Sequence, residues 1–425
     1  MVSYLKTVFS YLKNYSFYWL AKGFKPYAVN NQSYKFSDRK LNNPFVNKIF
    51  LWIGKKTTDF QRRVFPPSYL VLNEWCGFLV SKIIYELTKL EVADIIKAQG
   101  GKMNIYEIAK ATGTKEDKLN RLLRVAASKG IFCSIGNGVY ANTQLSLVLC
   151  KDHPNTFRNI ILLYEEYSSA TQYLAYDLKL QTGNKNERMT PFAKAHDGIG
   201  AFEWWALPEN KERQEVFNKG MIEQDSIYGK GLHQDYDWSQ YRNATYVDVA
   251  GGSGGFLFQL LTRYPTMKGV LYEYPSVIEK FEQLWSTNHK ELLDRVQFFR
   301  GDFFINPPPP SDVYFLRSIL HNWPDEQAVK ILKTIHSAIP STNVSSSYHE
   351  VPSYSKPKLL IAEILIDDRT KFPLLYQLDI LMMCMYNGKE RTKSEITELL
   401  NKSGWKLTKV TYCRGGFSVI EAVPL

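Results

Sequence analysis

His321 stands where the apolar run Val313-Tyr-Phe-Leu316 gives way to Arg317-Ser-Ile-Leu-His-Asn-Trp-Pro-Asp-Glu326. The run reads as a buried strand, and Trp323-Pro-Asp-Glu326 as the start of a helix. Functional groups of open α/β sheets gather at the carboxyl ends of strands. A free phenol ionises near pH ~10 and is a poor nucleophile at neutrality, whereas a neutral imidazole, with a pKa of about 6.5, can take its proton during attack. General-base assistance of this kind contributes roughly 10²–10⁴-fold. His153, His196, His233, His289, His336 and His349 have no comparable setting. Taken alone, His321 reads equally well as a structural histidine.

Upstream, Tyr246-Val-Asp-Val-Ala-Gly-Gly-Ser-Gly-Gly255 is followed by Leu271-Tyr-Glu-Tyr274. Strand, glycine turn, helix, second strand and carboxylate is the order of half a nucleotide-binding sheet. The dinucleotide fingerprint needs a third glycine where Leu257 stands, and that side chain would hold helix and strand apart. Asp248, just before Gly251 and Gly252, puts a carboxylate at the loop mouth, which repels a pyrophosphate and favours an amine or sulfonium. Glu273 ends the second strand, where an acid accepts both ribose hydroxyls. S-adenosylmethionine carries a ribose, a cationic sulfur and an ammonium but no phosphate, so it suits these residues better than NAD.

The elements that must position these groups follow from periodicity. From Tyr246 onward strands and helices alternate, which predicts an α/β parallel sheet with helices on both faces. Strands are expected at 246–250, 269–273, 296–300, 312–317 and 358–364, and helices at 254–263, 276–286, 325–338, 374–385 and 392–403. Thr392 with Glu395 forms a capping box for the last helix. Strands 405–412 and 417–423 meet at Gly415-Gly416 and are expected as an antiparallel edge. The Ser-rich stretch Ser341–Lys356 reads as an exposed loop.

Before the sheet the chain is mainly helical. Leu70–Ala98 reads as a long helix ending near Gly100-Gly101, Asn104–Gly113 as a short helix closed by glycine, and Lys115–Lys129 as another. Ile131–Ser134 and Val139–Ala141 flank Gly136-Asn-Gly138, a hairpin signal. Helix, turn, helix, hairpin is a winged-helix order. Glu116 and Asp117 in the first turn of its second helix would meet phosphates badly, which favours a packing or dimerisation unit over a DNA reader. Residues 155–235 hold many aromatics, including Tyr164, Tyr167, Tyr173, Tyr176, Phe202, Trp204 and Trp205; most read as core, a few as walls for a flat apolar ligand.

A formal charge of +11 with basic residues spread along the chain offers no dense nucleic-acid patch. The five cysteines form no CxxC or Cys/His cluster, so no metal is expected, and the pattern suits thiols in the cytoplasm. No run of 18 or more apolar residues predicts a membrane span. The first 37 residues lack Asp and Glu and place Leu5, Val8, Phe9, Leu12, Phe17 and Leu20 near helical spacing. That amphipathic start reads as a helix packed on its own protein or a dimer partner, with membrane-surface contact or organelle targeting as alternatives.

Asp248–Gly255, Gly301-Asp-Phe-Phe304, Leu316–Glu326 and Asn387-Gly-Lys-Glu-Arg-Thr392 together resemble the S-adenosylmethionine-dependent small-molecule O-methyltransferases of the plant caffeate and fungal polyketide type. The match spans roughly residues 70 to 425. It implies a Rossmann-like methyltransferase sheet behind a winged-helix dimerisation domain, a homodimer, and methyl transfer to an aromatic hydroxyl. It divides the chain into an extension (1–45), a dimerisation domain (46–155), a helical linker and substrate-pocket region (156–240) and a cofactor-binding catalytic domain (241–425). Gly251 and Gly252 would then form the cofactor turn and Glu273 bind the ribose. Asp302 and Phe303 would hold the adenine, and Arg317 would lie beside the cofactor. Asp302 as a loop cap and Phe303 as ordinary core are the competing readings.

Within that resemblance His321 is the base, and Glu363 and Glu390 are its supports. Glu363 ends the apolar strand Lys358-Leu-Leu-Ile-Ala362 and is hard to explain as core; Glu390 reads equally as a surface charge paired with Arg391. Met221 matches a pocket methionine of the family, and Trp204 and Met383 are further candidate walls. Asn322 departs from the usual Asp, Ala250 from a glycine, and Glu273 from a shorter Asp. A silent cofactor-binding paralogue and a winged-helix DNA-binding regulator remain the alternatives.

Overall fold

The computed structural model describes residue 52 and residues 56–178, 189–340, 357–366 and 373–425. The amphipathic start and the Ser341–Lys356 loop lie outside these residues. The chain divides into two compact units. One holds the described residues up to Glu165 together with Glu215–Glu223; the other holds Glu166–Gln214 and Gln224–Leu425. Residues 156–240, read from sequence as one region, are shared between them.

In the first unit the expected long helix is broken into α1 (Pro67–Trp75), α2 (Gly77–Lys89) and α3 (Val92–Ala98). The second break is at Glu91, whose φ of 57° is left-handed and cannot continue a helix. α4 (Ile105–Thr112) starts at an Asn104–Glu107 capping box and stops at Gly113, whose φ is 64°. α5 (Glu116–Ser128) buries Leu119, Leu123 and Ala126. The hairpin β2 (Phe132–Gly136) and β3 (Val139–Asn142) is joined by a strand that the sequence reading lacked, β1 (Lys102–Asn104), which pairs antiparallel with β3.

The second unit carries a seven-stranded sheet, β4 (Thr245–Val249), β5 (Lys268–Glu273), β6 (Val296–Arg300), β7 (Val313–Arg317), β8 (Lys358–Ile364), β9 (Trp405–Tyr412) and β10 (Phe417–Pro424), in the order β6-β5-β4-β7-β8-β10-β9. β4 through β8 are parallel; β10 runs antiparallel beside β8, and β9 beside β10. The final hairpin is the antiparallel edge expected from the sequence, with β9 outermost and β10 pairing inward with β8. The remaining helices used below are α6 (Lys211–Asp235), which runs through both units, α7 (Gly255–Arg263), α8 (Pro275–Asn288), α9 (Asp325–His336), α10 (Pro373–Tyr386) and α11 (Lys393–Lys402).

Alternation along the strands builds a core on each face. Tyr246, Leu271, Phe315, Leu360 and Val419 pack with Phe256, Leu260 and Trp285 of α7 and α8. Val247, Val249, Tyr272, Leu316, Ile361 and Ile420 pack with Ile331, Leu332, Ile396 and Leu400 of α9 and α11. Because the five parallel strands share one direction, Val249, Glu273, Arg300, Arg317 and Glu363 all lie at or beside one edge of the sheet. The order reverses between β4 and β7, and that switch point leaves a crevice at the same edge.

The Thr392 capping box is present, with Glu395 N–H donating to Thr392 Oγ1 at 3.2 Å and Thr392 N–H to Glu395 Oε2 at 2.8 Å. Thr392→Ala is expected to cost about 1 kcal/mol of stability. Urea unfolding checks this: the midpoint falls while the slope stays unchanged.

Candidate active site

The glycine loop is shaped by what lies under it. Asp248 folds beneath Gly251, where a Cβ would stand 2.5 Å from its Cγ and 2.8 Å from Leu271 Cδ1, so no side chain fits. Ala250 takes a φ of 55°, the left-handed region in which glycine is unstrained; this is the position where the resembling family has glycine. Its N–H donates to Tyr272 O at 2.8 Å, which holds the strained residue in place. Gly252 and Gly254 turn at φ 57° and 74°.

Two acids bracket this turn. Asp248 is 3% exposed, and its Oδ2 has no hydrogen-bond partner among the described residues. Burial pushes its carboxyl up to about 7, while the Arg317 guanidinium pulls the other way. Glu273 accepts from the N–H of Gly252 at 3.1 Å and of Tyr274 at 3.0 Å. Burial raises its carboxyl and those two donors lower it. A buried, unpartnered acid under a bare loop and a second acid with acceptor capacity to spare fit a cationic nucleoside such as S-adenosylmethionine.

Just past β6, the contacts of Asp302 and Phe303 are those of the structural readings. Asp302 Oδ1 accepts from Phe304 N–H at 2.8 Å, a loop cap. Phe303 is buried in the core, edge-on to Phe304 at 4.9 Å and to Trp323 at 6.2 Å. Arg317 lies over the Phe256 ring at 5.1 Å and is ion-paired with Asp225 of α6. Sequence reasoning missed Asp225. Its available signal was Gly229 one turn later: a Cβ there would be 2.3 Å from Asp225 Oδ1, so the glycine makes room for the acid.

His321 sits on a short 3-10 turn, Leu320–Asn322, directly after β7. Ser318 enters that turn at φ 55°, its N–H bound to Ala362 O at 3.1 Å and its carbonyl to the Asn322 amide at 3.1 Å. Asn322 is thus a donor to backbone, a role that an ionised Asp cannot fill. The two glutamates divide the support in a way the sequence did not show. Glu390, buried rather than at the surface, binds His321 Nδ1 through Oε1 at 2.8 Å. Glu363 Oε1 instead accepts the backbone N–H groups of Ile319 at 3.1 Å, Leu320 at 2.9 Å and His321 at 3.4 Å, and its Oε2 stays 3.8 Å from Nδ1.

A carboxylate only accepts, so Glu390 places the ring proton on Nδ1 and leaves the Nε2 lone pair for chemistry when the ring is neutral. Burial alone would lower the imidazole pKa, but Glu363 and Glu390 outweigh it and push it up to about 9. His321, Glu363 and Glu390 also bring one donor atom each within 4.8 Å, a set that a divalent metal could use. Nδ1 is already engaged with Glu390, so such an ion would first have to displace a proton.

Of the expected pocket walls, Met383 is half-buried on α10 and Trp204 packs against Phe192 at 5.8 Å and His196 at 4.9 Å. Met221 belongs to the first unit, on the segment whose Gly220 lies against Ile160 and Leu163. The ring beside the histidine turn is Phe202, stacked on Tyr386 at 4.7 Å and on Trp323 at 6.2 Å.

Residues 175–406 match the family described as an O-methyltransferase domain, and residues 73–152 match one described as an O-methyltransferase dimerisation domain. The chain is 28% identical over 360 residues to a phenazine O-methyltransferase of Lysobacter antibioticus, covering 85% of this chain and 97% of that protein. It is similar to the crystal structure of LaPhzM, with a TM-score of 0.72, 28% identity, and coverage of 85% of this chain and 100% of that one. It is also similar to the neocarzinostatin-biosynthesis O-methyltransferase NcsB1, in complex with S-adenosylmethionine and 2-hydroxy-5-methyl naphthoic acid; the TM-score is 0.65, with 25% identity over 81% of this chain and 96% of that one.

The Asp248 carboxyl predicts a measurable trade-off. Its folded value of about 7 exceeds the unfolded ~3.9, so ionisation disfavours the ligand-free fold above about pH 4 and fully so above pH 7. Asp248→Asn is therefore expected to raise the ligand-free Tm at pH 8 by about 2–4 °C and to leave it unchanged near pH 4. Scanning fluorimetry at the two pH values checks this.

Proposed function

Because the chain belongs to the S-adenosylmethionine-dependent O-methyltransferases, we propose that it methylates a hydroxyl of an aromatic small molecule, phenolic or polyketide-like, with His321 as general base. The observation that carries this reading is the 2.8 Å contact of His321 Nδ1 with buried Glu390, at the strand edge that holds the glycine loop. The relatives support the acceptor class, since one is named for a phenazine and another is seen with a naphthoic acid.

Asp248, Gly251, Gly252, Glu273, Asp302, Phe303 and Arg317 are the residues assigned to the cofactor, in the roles set out above. When bound, S-adenosylmethionine supplies an electrophilic methyl group on a sulfonium. His321 takes the acceptor's hydroxyl proton at Nε2. Glu390 stabilises the imidazolium that results, and Glu363 keeps the turn from shifting as charge develops. Trp204 and Met383, with Phe202 and Tyr386, are the assigned walls for a flat acceptor.

The first unit is assigned to self-association. Tyr69, Val71, Leu72 and Trp75 on α1 and Phe78 and Leu79 on α2 are all exposed, an apolar surface that a second copy would cover. Among the described residues no helix is long and apolar enough to cross a membrane.

His321→Ala is expected to lower kcat by about 10²–10⁴-fold while adenosylhomocysteine binding, read by calorimetry, stays within threefold of wild type. Normal turnover by that variant would overturn the base assignment. The base must be neutral to act, and in the free protein it titrates near 9, so kcat/KM should climb from pH 7 and level off above about 9. Glu390→Gln removes a charge that raises the imidazole, so its rising limb should move to lower pH even as its plateau falls. A pH series on both proteins checks the direction.

A further inference from the structure

Resting on the assignment of His321 as the base, we propose that Arg391 is a positioning residue that fixes the catalytic turn by its carbonyls, where Glu363 holds its amides. Its guanidinium is 2% exposed. Nη1 donates to Leu320 O at 2.7 Å, Nη2 to Trp323 O at 2.6 Å, and Nε to Asp325 Oδ1 at 2.9 Å. Two of those acceptors are backbone carbonyls that flank His321 in the chain. The carbonyl of His321 itself accepts from Lys389 N–H at 2.9 Å. The turn is thus gripped twice: its amides converge on one oxygen of Glu363, and its carbonyls are taken by residues 389–391.

The gripping segment is itself anchored. Asn387, at φ 56°, ends α10, and Arg391 pairs beside Leu365 just past β8, with Ile366 N–H donating to Arg391 O at 3.1 Å. Thr392 then caps α11. Gly388 is what allows the close approach, because a Cβ there would lie 2.0 Å from His321 O and 2.9 Å from Asn322 C. A buried cation is costly unless its donors are satisfied, and the carboxylate that Arg391 contacts belongs to Asp325, whose side chain is 50% exposed. A hydrophobic residue would pack there at lower cost, but only a planar fork reaches two carbonyls and a carboxylate at once. Lysine keeps the charge and loses the geometry.

The experiment is a comparison of Arg391→Lys, Arg391→Ala and Asp325→Asn with His321→Ala. For Arg391→Ala and Arg391→Lys, kcat should fall about a hundredfold, the scale expected for a misplaced catalytic group, with KM for S-adenosylmethionine and calorimetric adenosylhomocysteine affinity within threefold of wild type. Added guanidinium or methylguanidinium should restore part of the kcat of Arg391→Ala and none of that of His321→Ala. Asp325→Asn changes a half-exposed side chain, so it keeps the fold even where the Arg391 variants do not, and it should lose roughly 3–10-fold in kcat alone. Wild-type kcat in Arg391→Lys or Asp325→Asn, or equal loss of cofactor affinity and kcat, would overturn the proposal. So would a folded Arg391→Ala that guanidinium does not rescue. If His321→Ala turns over normally, the base assignment fails instead, which is a separate result.

Discussion

Everything at the site depends on one imidazole held against two buried carboxylates. Such a grouping is unstable by itself: Glu363 and Glu390 are each 3% exposed, and each keeps one oxygen without a hydrogen-bond partner among the described residues. Three features make it tolerable. Backbone amides of the turn converge on Glu363, the buried Arg391 guanidinium favours its charge, and the ring proton of His321 neutralises part of the pair. The cost is that the ligand-free ring holds its proton too well for a base at neutral pH. A cation bound at the neighbouring strand ends would oppose that, because like charge disfavours the imidazolium. On the proposed reading, a sulfonium donor at those strand ends would favour the neutral imidazole through electrostatics alone.

The cofactor edge shows the same preference for function over stability. Ala250 and Ser318 both sit at positive φ, just past the carboxyl ends of β4 and β7, and each is tied to the neighbouring strand by one backbone hydrogen bond. Asp248 leaves an oxygen unpartnered beneath the loop. Strain and orphaned acceptors are expected where a ligand will complete the structure. Their clustering at the strand-order reversal between β4 and β7 marks the crevice as strongly as any single residue does.

Much of this was legible in the sequence because local chemistry forces it. The five parallel strands fell within a residue of their expected bounds, since buried β-runs flanked by helix caps leave little freedom. Asp248, Glu273 and His321 fall near strand ends as expected because strand ends are recognisable. What escaped was long-range. No local signal told which glutamate would meet the ring, because Glu363 and Glu390 reach His321 across 42 and 69 residues of chain. Asp225 was invisible until Gly229 showed what it was avoiding, and β1 was too short to register against its polar neighbours. Which strand of the final hairpin lies inward is likewise decided by pairing with β8, not by anything within the hairpin.

The departures from the family pattern follow the same logic once the backbone is known. Asn322 stands where the family usually has Asp. In place, its amide donates to the carbonyl of strained Ser318, so its effect runs through the turn's shape and not through the ring's charge. Ala250 is a methyl group in a glycine conformation, a cost of about 1 kcal/mol that the Tyr272 hydrogen bond and the buried sheet edge can absorb. Glu273 is one methylene longer than the usual acid, yet both its oxygens are met by the amides of Gly252 and Tyr274. The longer arm folds back on its own loop, so the charge stays beside the turn where a shorter acid would have put it. At all three positions what the backbone preserves is where charge and hydrogen-bond capacity end up, so the departures change residue identity more than they change the site.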